Sequence, residues 1–436
     1  MAGFYEFFAG GGMARAGLGA DWDCLFANDF DPKKAASYVA NWGDHELRVE
    51  DVANLQAGDL PDQADLAWAS FPCQDLSLAG TGAGLGGERS GAFRPFWRLI
   101  ENLAAEHRAP SLVVLENVCG ALSSHQGKDF AAICEALLGV GYRFGALVID
   151  AAHFLPQSRP RLFIVGAMDA IPDTLRVRNA ESEWHPRALK EAYKKLSPRA
   201  QNAWVWWRLP APPIRALRFA DLVETAPQGI AWHTAEETQK LLAMMNPVHQ
   251  AKIEAARKMQ RRQFGTVYKR IRAEGADKKK TQRAEIRLDG VAGCLRTPSG
   301  GSSRQILMVI EGECVRSRLF SPREAARLMG LPENYSLPKN YNEAYALAGD
   351  GVAAPVVRFL AQNLLEPLLV VTQHAKKRGR PLNPETLLTD GGGRVLKSGK
   401  FSDAGRRIAI DDIVTRYNQI IKTVETDPSL KIESRP

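Results

Sequence analysis

What most constrains this chain is a rhythm in its first 170 residues, where short apolar runs alternate with stretches of helical spacing. "FYEFFA" at 4–9, "DCLFAND" at 23–29, "ADLAWASF" at 64–71, "PSLVVLENV" at 110–118, "ALVIDAA" at 146–152 and "RLFIVGA" at 161–167 read as strands. Residues 32–41, 95–107 and 128–139 read as the helices between them. Strands separated by helices must cross over to pair in parallel, so the expected fold is α/β with a mostly parallel sheet.

The rhythm stops after Ala170. Tryptophans (Trp184, Trp204, Trp206, Trp207, Trp232), prolines and basic residues take over, and no βαβ alternation survives. Order returns near Arg318 with "SPREAARLMG", a helix capped by Ser321 with Pro322 in its first turn and Gly330 at its end. "GDGVAAPVVRFLAQNLLEPLLV" at 349–370 reads as a second helix with an apolar face. Beyond residue 374 the chain is basic and glycine-rich to 400, then weakly helical over 408–425.

The chemistry-bearing residues cluster at the ends of these strands. Gly10, Gly11 and Gly12 follow the first strand and open a helix, so backbone amides can approach a ligand. Such a turn alone is as often plain packing. Its context narrows the reading: Asp29 ends the second strand, where an acid can accept both hydroxyls of a ribose, and Asp51 follows at the end of another, placed to meet an adenine edge. The turn lacks the full dinucleotide spacing, which favours S-adenosylmethionine over a nicotinamide cofactor.

"SFPCQDLS" at 70–77 closes the third strand with Cys73 on a corner fixed by Pro72, and a glycine-rich stretch at 75–93 follows it. A thiol at the carboxyl end of a central strand, under a segment able to close over it, is a candidate nucleophile; the alternative is an inert half-buried cysteine. "ENV" at 116–118 places Glu116 at the end of an apolar strand, where a carboxyl is costly unless paired or protonated. "QSRPR" at 157–161 sets Arg159 and Arg161 two apart in an extended segment, hence on one side.

Charge and cysteine usage narrow the partners. The net charge of +8 suggests a polyanion, and the positive residues concentrate in Lys252–Arg287, in Arg316–Arg327 and in "KKRGRP" at 376–381. Six scattered cysteines with no C-x-x-C pair argue against disulfides and against a structural metal. No charged start precedes a signal-type apolar stretch, and no apolar run has membrane-spanning length, so the expected setting is cytoplasmic with no membrane partner.

Taken in order, these blocks resemble the DNA (cytosine-5) methyltransferase family. "FFAGGGMARAGLG" resembles its first cofactor motif, "SFPCQDLS" its Pro-Cys motif, "ENV" its Glu motif and "QSRPRLFIVGA" its Gln-x-Arg-x-Arg motif. "RLFSPREAARLMGLP" and "GDGVAAPVV" resemble its two late motifs. The resemblance implies an S-adenosylmethionine-dependent, Rossmann-like domain at 1–170, a smaller target-recognition region at 171–315, a return to the catalytic domain at 316–373 and a basic tail at 374–436. It implies methyl transfer to carbon 5 of a cytosine flipped out of duplex DNA, through a covalent adduct to Cys73. Glu116 would hold ring nitrogen 3, and Arg161, supported by Arg159, the ring oxygen. Phe8, Gly10, Gly12, Asp29, Phe30, Asp51 and Pro72 would line the cofactor site, joined by Asp350 and Val352 of the final motif.

Three positions depart from the family pattern: Asp350 stands where Asn is usual, Met329 where Gln is usual, and Cys294-Leu295 where a Thr-Leu pair is frequent. DNA contacts are expected from Lys269, Arg270, Arg272, Arg296, Ser302, Arg304 and Gln305. "KKRGRPL" resembles an AT-hook, with Arg378 and Arg380 extended along a minor groove, or else is a basic linker. The enzyme would act as a monomer, within a restriction-modification pair or alone. The alternatives are an RNA cytosine-5 methyltransferase on the same fold and a catalytically silent DNA-binding protein.

Overall fold

The apolar runs become strands, and their two-residue alternation sorts side chains onto two faces of one sheet. The computed structural model describes residues 1–72, 92–180, 182–274, 279–297 and 304–370. Among them β1 (Ala2–Phe7), β2 (Trp22–Asp29), β3 (Leu47–Val49), β4 (Leu66–Ala69), β5 (Leu112–Val118), β6 (Arg143–Asp150) and β7 (Pro160–Ala167) form a sheet. Their spatial order is β3-β2-β1-β4-β5-β7-β6.

Neighbours from β3 to β5 pair in parallel, whereas β7 runs antiparallel between β5 and β6. Residues 151–159 join β6 to β7 without a crossover helix, which only antiparallel pairing allows. β1 lies between β2 and β4, so successive connections leave it in opposite directions and open a crevice beyond the carboxyl ends of β1 and β4. Gly10 and Pro72 stand at that crevice.

Helices α1 (Met13–Leu18), α2 (Pro32–Trp42), α3 (Phe93–Ala105) and α4 (Lys128–Val140) flank the sheet. Phe4, Leu66, Trp68 and Val114 face one core, shared with Met13 and Tyr38; Tyr5, Phe7, Ala67 and Val113 face the other, shared with Phe96, Trp97 and Phe130. Burying both faces is what makes these strands near-continuous apolar runs.

The stretch expected to form one recognition region from 171 to 315 contains two kinds of packing. Residues 171–210, with β8 (Arg176–Val177), α5 (Arg187–Lys194), α6 (Pro198–Ala203) and β9 (Trp206–Trp207), cover the open edge of β6. Val148 N–H donates to Trp184 O at 2.9 Å, Val205 N–H to Phe144 O at 2.7 Å, and Trp184, Trp204 and Trp207 are buried in the sheet's two cores. An uncovered edge would leave a row of backbone groups unpaired.

After α7 (Phe219–Leu222), a separate core forms. Helices α8 (Ala235–Ala243) and α9 (Pro247–Lys258) pack on an antiparallel sheet of β10 (Gln263–Glu274), β11 (Lys279–Arg287), β12 (Ile306–Glu311) and β13 (Cys314–Leu319), in the order β11-β10-β12-β13. Leu241, Met245, Ile253, Val267, Ala284, Ile286, Met308 and Ile310 fill it. The sheet runs through Leu319, past the expected boundary at 315.

The chain then returns to the large sheet through α10 (Pro322–Leu328), α11 (Tyr341–Asp350) and α12 (Ala354–Leu360). Ser321 and Glu324 form a reciprocal cap on α10, and Glu324 also pairs with the fully buried Arg318 at 2.7 Å. The stretch Tyr341–Val370 is long and apolar enough to cross a membrane, but 67% of its most apolar window is buried inside the protein. It is a core element, interrupted around Gly351.

Candidate active site

A cavity of about 780 Å³ opens at the crevice, walled by the ends of β1, β2, β4, β5 and β7, by residues 294–297 and by 347–352. The glycine turn forms one wall. Gly10 has φ +57° with nothing near its missing Cβ, so backbone conformation requires the glycine; at Gly12 (φ +74°) a Cβ would also lie 2.3 Å from Trp42 Nε1. Gly12 itself stands behind the wall rather than in it. Phe8 shares the left-handed conformation (φ +57°), a strained state for a side-chain-bearing residue, and such strain gathers at ligand sites.

Asp29 is aimed by backbone. Gly10 N–H donates to its Oδ2 and Asp31 N–H to its Oδ1, both at 2.9 Å, while burial raises its pKa despite these amides. Each oxygen keeps a lone pair for a hydroxyl. Phe30 follows with 67% of its surface exposed on the cavity wall, an apolar face available to a planar ring. Val352 and Asp350 complete the wall opposite. Asp51 is not brought into it: its carboxylate caps the turn Val52–Asn54, accepting from Ala53 N–H at 2.9 Å.

Glu6, which motif reading passed over as one polar letter in a strand, is 1% exposed on β1 and lines the cavity. Its Oε1 accepts from Arg15 N–H at 3.3 Å, and its Oε2 has no partner. Burial pushes its pKa up to about 8. Between the ordinary carboxylate range and pH 8, the folded state therefore holds a proton that the unfolded state has released. Stability from this group is complete at pH 4 and is lost as pH rises through 8, by up to about 5 kcal/mol. Urea denaturation at pH 5, 6.5 and 8 should show Glu6→Gln flattening that decline; parallel curves for the two proteins would refute the assignment.

The second half of the cavity carries the motif residues from β5 and β7. Arg161 Nε lies 3.2 Å from Glu116 Oε1, so this acid is held by pairing. Asn117 Nδ2 donates to Phe71 O at 3.0 Å, tying the backbone at Pro72 to the end of β5. Cys73 lies outside the described residues, as do Ser302, Arg378 and Arg380.

Arg159 is buried behind the cavity rather than on its wall. Its two Nη atoms donate to Leu295 O (3.1 Å), Gly349 O (2.9 Å) and Gly351 O (2.6 Å), with Cys294 Sγ at 3.3 Å; burial, then Arg161, lowers its pKa to about 10. Gln157 reinforces the same junction, donating to Leu328 O at 2.6 Å and accepting from Leu295 N–H at 3.2 Å. Met329 Sδ sits 3.3 Å from its Nε2. These contacts suspend residues 294–297 over the cavity.

The expected DNA-contacting residues separate by position. Neighbours on a strand point to opposite faces, so Arg270 and Arg272 share one face of β10 with Tyr268, while Lys269 lies on the other, opposite Ala284. Arg270 stacks over Tyr268 with 4.3 Å to the ring centre, and Arg272 Nε pairs with Glu285 at 2.6 Å. Tyr268 also abuts Gly293, next to the cavity-lining Cys294, so this basic face continues to the cavity mouth. Arg296 is exposed on the wall. Arg304 is engaged with Asn342 and the Tyr341 ring.

Gln305 corrects the sequence reading. It is buried, its Oε1 accepts from Gly293 N–H at 3.0 Å and its Nε2 donates to Gly293 O, so its amide is spent on backbone and cannot read a base edge.

Among the described residues no cluster of three or more His, Cys, Asp or Glu side chains is placed to hold a metal ion.

A family model described as C-5 cytosine-specific DNA methylase matches residues 2–366. The chain is 26% identical over 388 residues to Type II methyltransferase M.BsuFI of Bacillus subtilis, covering 86% of this chain and 75% of that one. It is 26% identical over 371 residues to Type II methyltransferase M.NlaX of Neisseria lactamica, covering 84% and 97%. Among solved structures, the S. pombe Dnmt2 methyltransferase matches with a TM-score of 0.53 at 19% identity, over 84% of this chain and 99% of that one, a likeness of fold.

Proposed function

Because the chain belongs to the C-5 cytosine-specific DNA methylase family, we propose that it is a site-specific methyltransferase acting on a cytosine flipped out of duplex DNA, with S-adenosylmethionine as donor. The observation that carries this reading is one cavity with two chemically different halves: Gly10, Asp29 and Phe30 on one side, Glu116 and Arg161 on the other. A donor and an acceptor base must meet in a shared space for direct transfer.

The residues present fit the cofactor. Asp29 offers acceptors for ribose hydroxyls, Phe30 a face for adenine, and the glycine turn close backbone approach. When bound, S-adenosylmethionine supplies an electrophilic methyl group.

The remaining tasks fall to the chain. The cytosine must leave the stack, because its ring face is unreachable inside a duplex. Cys73, as thiolate, adds to ring carbon 6, and the electron pair released into the ring makes carbon 5 nucleophilic. Nitrogen 3 and the carbonyl oxygen on carbon 2 are adjacent, and the family resemblance assigns Glu116 to the first and a guanidinium N–H of Arg161 to the second. These donors withdraw charge from the ring as the thiolate attacks. Once carbon 5 has taken the methyl group, a general base removes its proton, the C–H electron pair re-forms the C5–C6 double bond, and Cys73 leaves as thiolate. Arg270 and Arg272, on the face that continues to the cavity mouth, are assigned to DNA contact, with α8, α9 and β10–β13 as the recognition module.

Nucleoside mass spectrometry of duplex DNA and of structured RNA, each incubated with protein and S-adenosylmethionine, tests this. We expect 5-methylcytosine in the DNA. Modification of RNA alone would move the chain to RNA chemistry, and tight DNA binding with no modified base would make it a silent binder.

A further inference from the structure

Asp350 stands where the family resemblance expects a neutral Asn, and the structure places a counter-charge beside it. Lys34, in the first turn of α2, reaches Asp350 Oδ2 at 3.0 Å, and Thr297 Oγ1 donates to Oδ1 of the same carboxylate. Lys34, Asp350 and Thr297 all line the cavity. Burial works against the charge on Lys34, but Asp350 and then Asp29 and Asp31 outweigh it and raise its pKa. The pair is not isolated: Lys33 Nζ meets Glu343 at 3.1 Å, and Asn41 and Ser336 exchange hydrogen bonds at 2.8 and 3.0 Å, so α2 is fastened to residues 336–350 along its length.

We propose that Lys34 is a positioning residue that couples the cofactor wall to the DNA side of the cavity through Asp350 and Thr297, a role that rests on the cofactor reading above. Asp29 and Phe30 lie just ahead of Lys34 on the same β2–α2 corner, so a nucleoside held there fixes the start of α2. Lys34 fixes Asp350, and Asp350 fixes Thr297. Thr297 ends the suspended segment, and Gly293, just before that segment, lies so near Tyr268 that a Cβ there would stand 3.0 Å from the ring on which Arg270 stacks. An ion pair, a hydrogen bond, the backbone from 297 to 293 and the Tyr268 ring thus connect the nucleoside site to the basic face. A neutral side chain at 350 would remove the direct ion pair and leave Lys34 only the weaker through-space pull of Asp29 and Asp31, so Lys34 and Asp350 form a unit. Any effect of cofactor on DNA affinity must equal the effect of DNA on cofactor affinity.

The test is binding without turnover. Fluorescence anisotropy gives the affinity for duplex DNA with and without S-adenosylhomocysteine, which carries no transferable methyl group. The wild type should bind DNA more tightly when the homocysteine analogue is present. Lys34→Met should bring that factor close to one, a loss of about fivefold or more, while DNA affinity without the analogue stays within about twofold. Lys34→Arg should retain the coupling. Asp350→Asn should lose it, and the double variant should lose no more than either single. Unchanged coupling in Lys34→Met, losses that multiply in the double variant, or a wild type with no coupling would each overturn the proposal. Failure of the analogue to bind wild type in calorimetry would instead remove the cofactor reading itself.

Discussion

Replacing Cys73 by serine should reduce 5-methylcytosine formation by at least about 10³-fold while leaving duplex binding in place. A thiolate is available at a useful fraction near neutral pH and is intrinsically nucleophilic; a serine hydroxyl is neither unless a base activates it. The Glu116 and Arg161 groups would still meet the cytosine edge, but carbon 5 would remain unreactive without addition at carbon 6.

Two measurements separate a nucleophile from a structural cysteine. With S-adenosylmethionine present, duplexes carrying 5-fluorocytosine should form a denaturation-resistant complex with the wild type, because carbon 5, once methylated, holds fluorine in place of the proton that must leave, and the adduct cannot resolve. Cys73→Ser should form none. Equal methylation rates for the two proteins, or an adduct that survives the substitution, would transfer the role to another thiol. Cys119 and Cys294 line the cavity beside Glu116 and Arg161 and are the ones to examine next.

How much of this was legible beforehand depends on whether a residue acts through local pattern or distant contact. The strands of the large sheet follow from apolar runs, because two buried faces make most of their positions apolar and confine polar residues mainly to the crevice ends. The direction of β7 did not: "RLFIVGA" reads the same whichever way it runs, and the short link from β6 decides. The tryptophan-rich stretch after 171 looked like part of a recognition region because it lacks periodicity. Its packing comes from Trp184 and Val205 pairing with the edge of β6, a contact between segments far apart in sequence.

The motif residues behaved differently from their neighbours. Asp29 ends β2 and Phe30 follows it, Glu116 lies near the end of β5, and Arg161 opens β7, whose antiparallel course brings its first residues to the same crevice. Gln305 carried the right functional group for reading adenine, yet its burial against Gly293 is a tertiary fact with no local signal. Glu6 is the lone acid of "FYEFFA", a pattern that marks a buried carboxyl although no motif draws attention to it. Lys34 gave no such sign, since a lysine in the first turn of a helix is ordinarily a solvated charge.

Arg159 carries the second large effect, and it should appear in stability as well as rate. Its side chain is 2% exposed and donates to Leu295, Gly349 and Gly351 carbonyls, joining the suspended segment to the end of α11. Arg159→Met removes the one donor that three carbonyl oxygens share, leaving Leu295 O only the Cys294 thiol, which should cost about 3–5 kcal/mol in chemical denaturation. It also frees residues 294–297 and 349–351, two walls of the cavity, so methylation should fall by about 10²-fold or more, since small misplacements suffice for that.

Arg159→Lys discriminates shape from charge. A lysine keeps the positive charge beside Cys294 but presents one compact ammonium instead of a planar fork, and it cannot serve both segments at once. It should recover part of the stability and little of the rate. Wild-type rate and stability in Arg159→Lys would show that charge alone suffices. A variant as stable as wild type but inactive would place Arg159 in contact with the reacting base, against its buried position behind the wall.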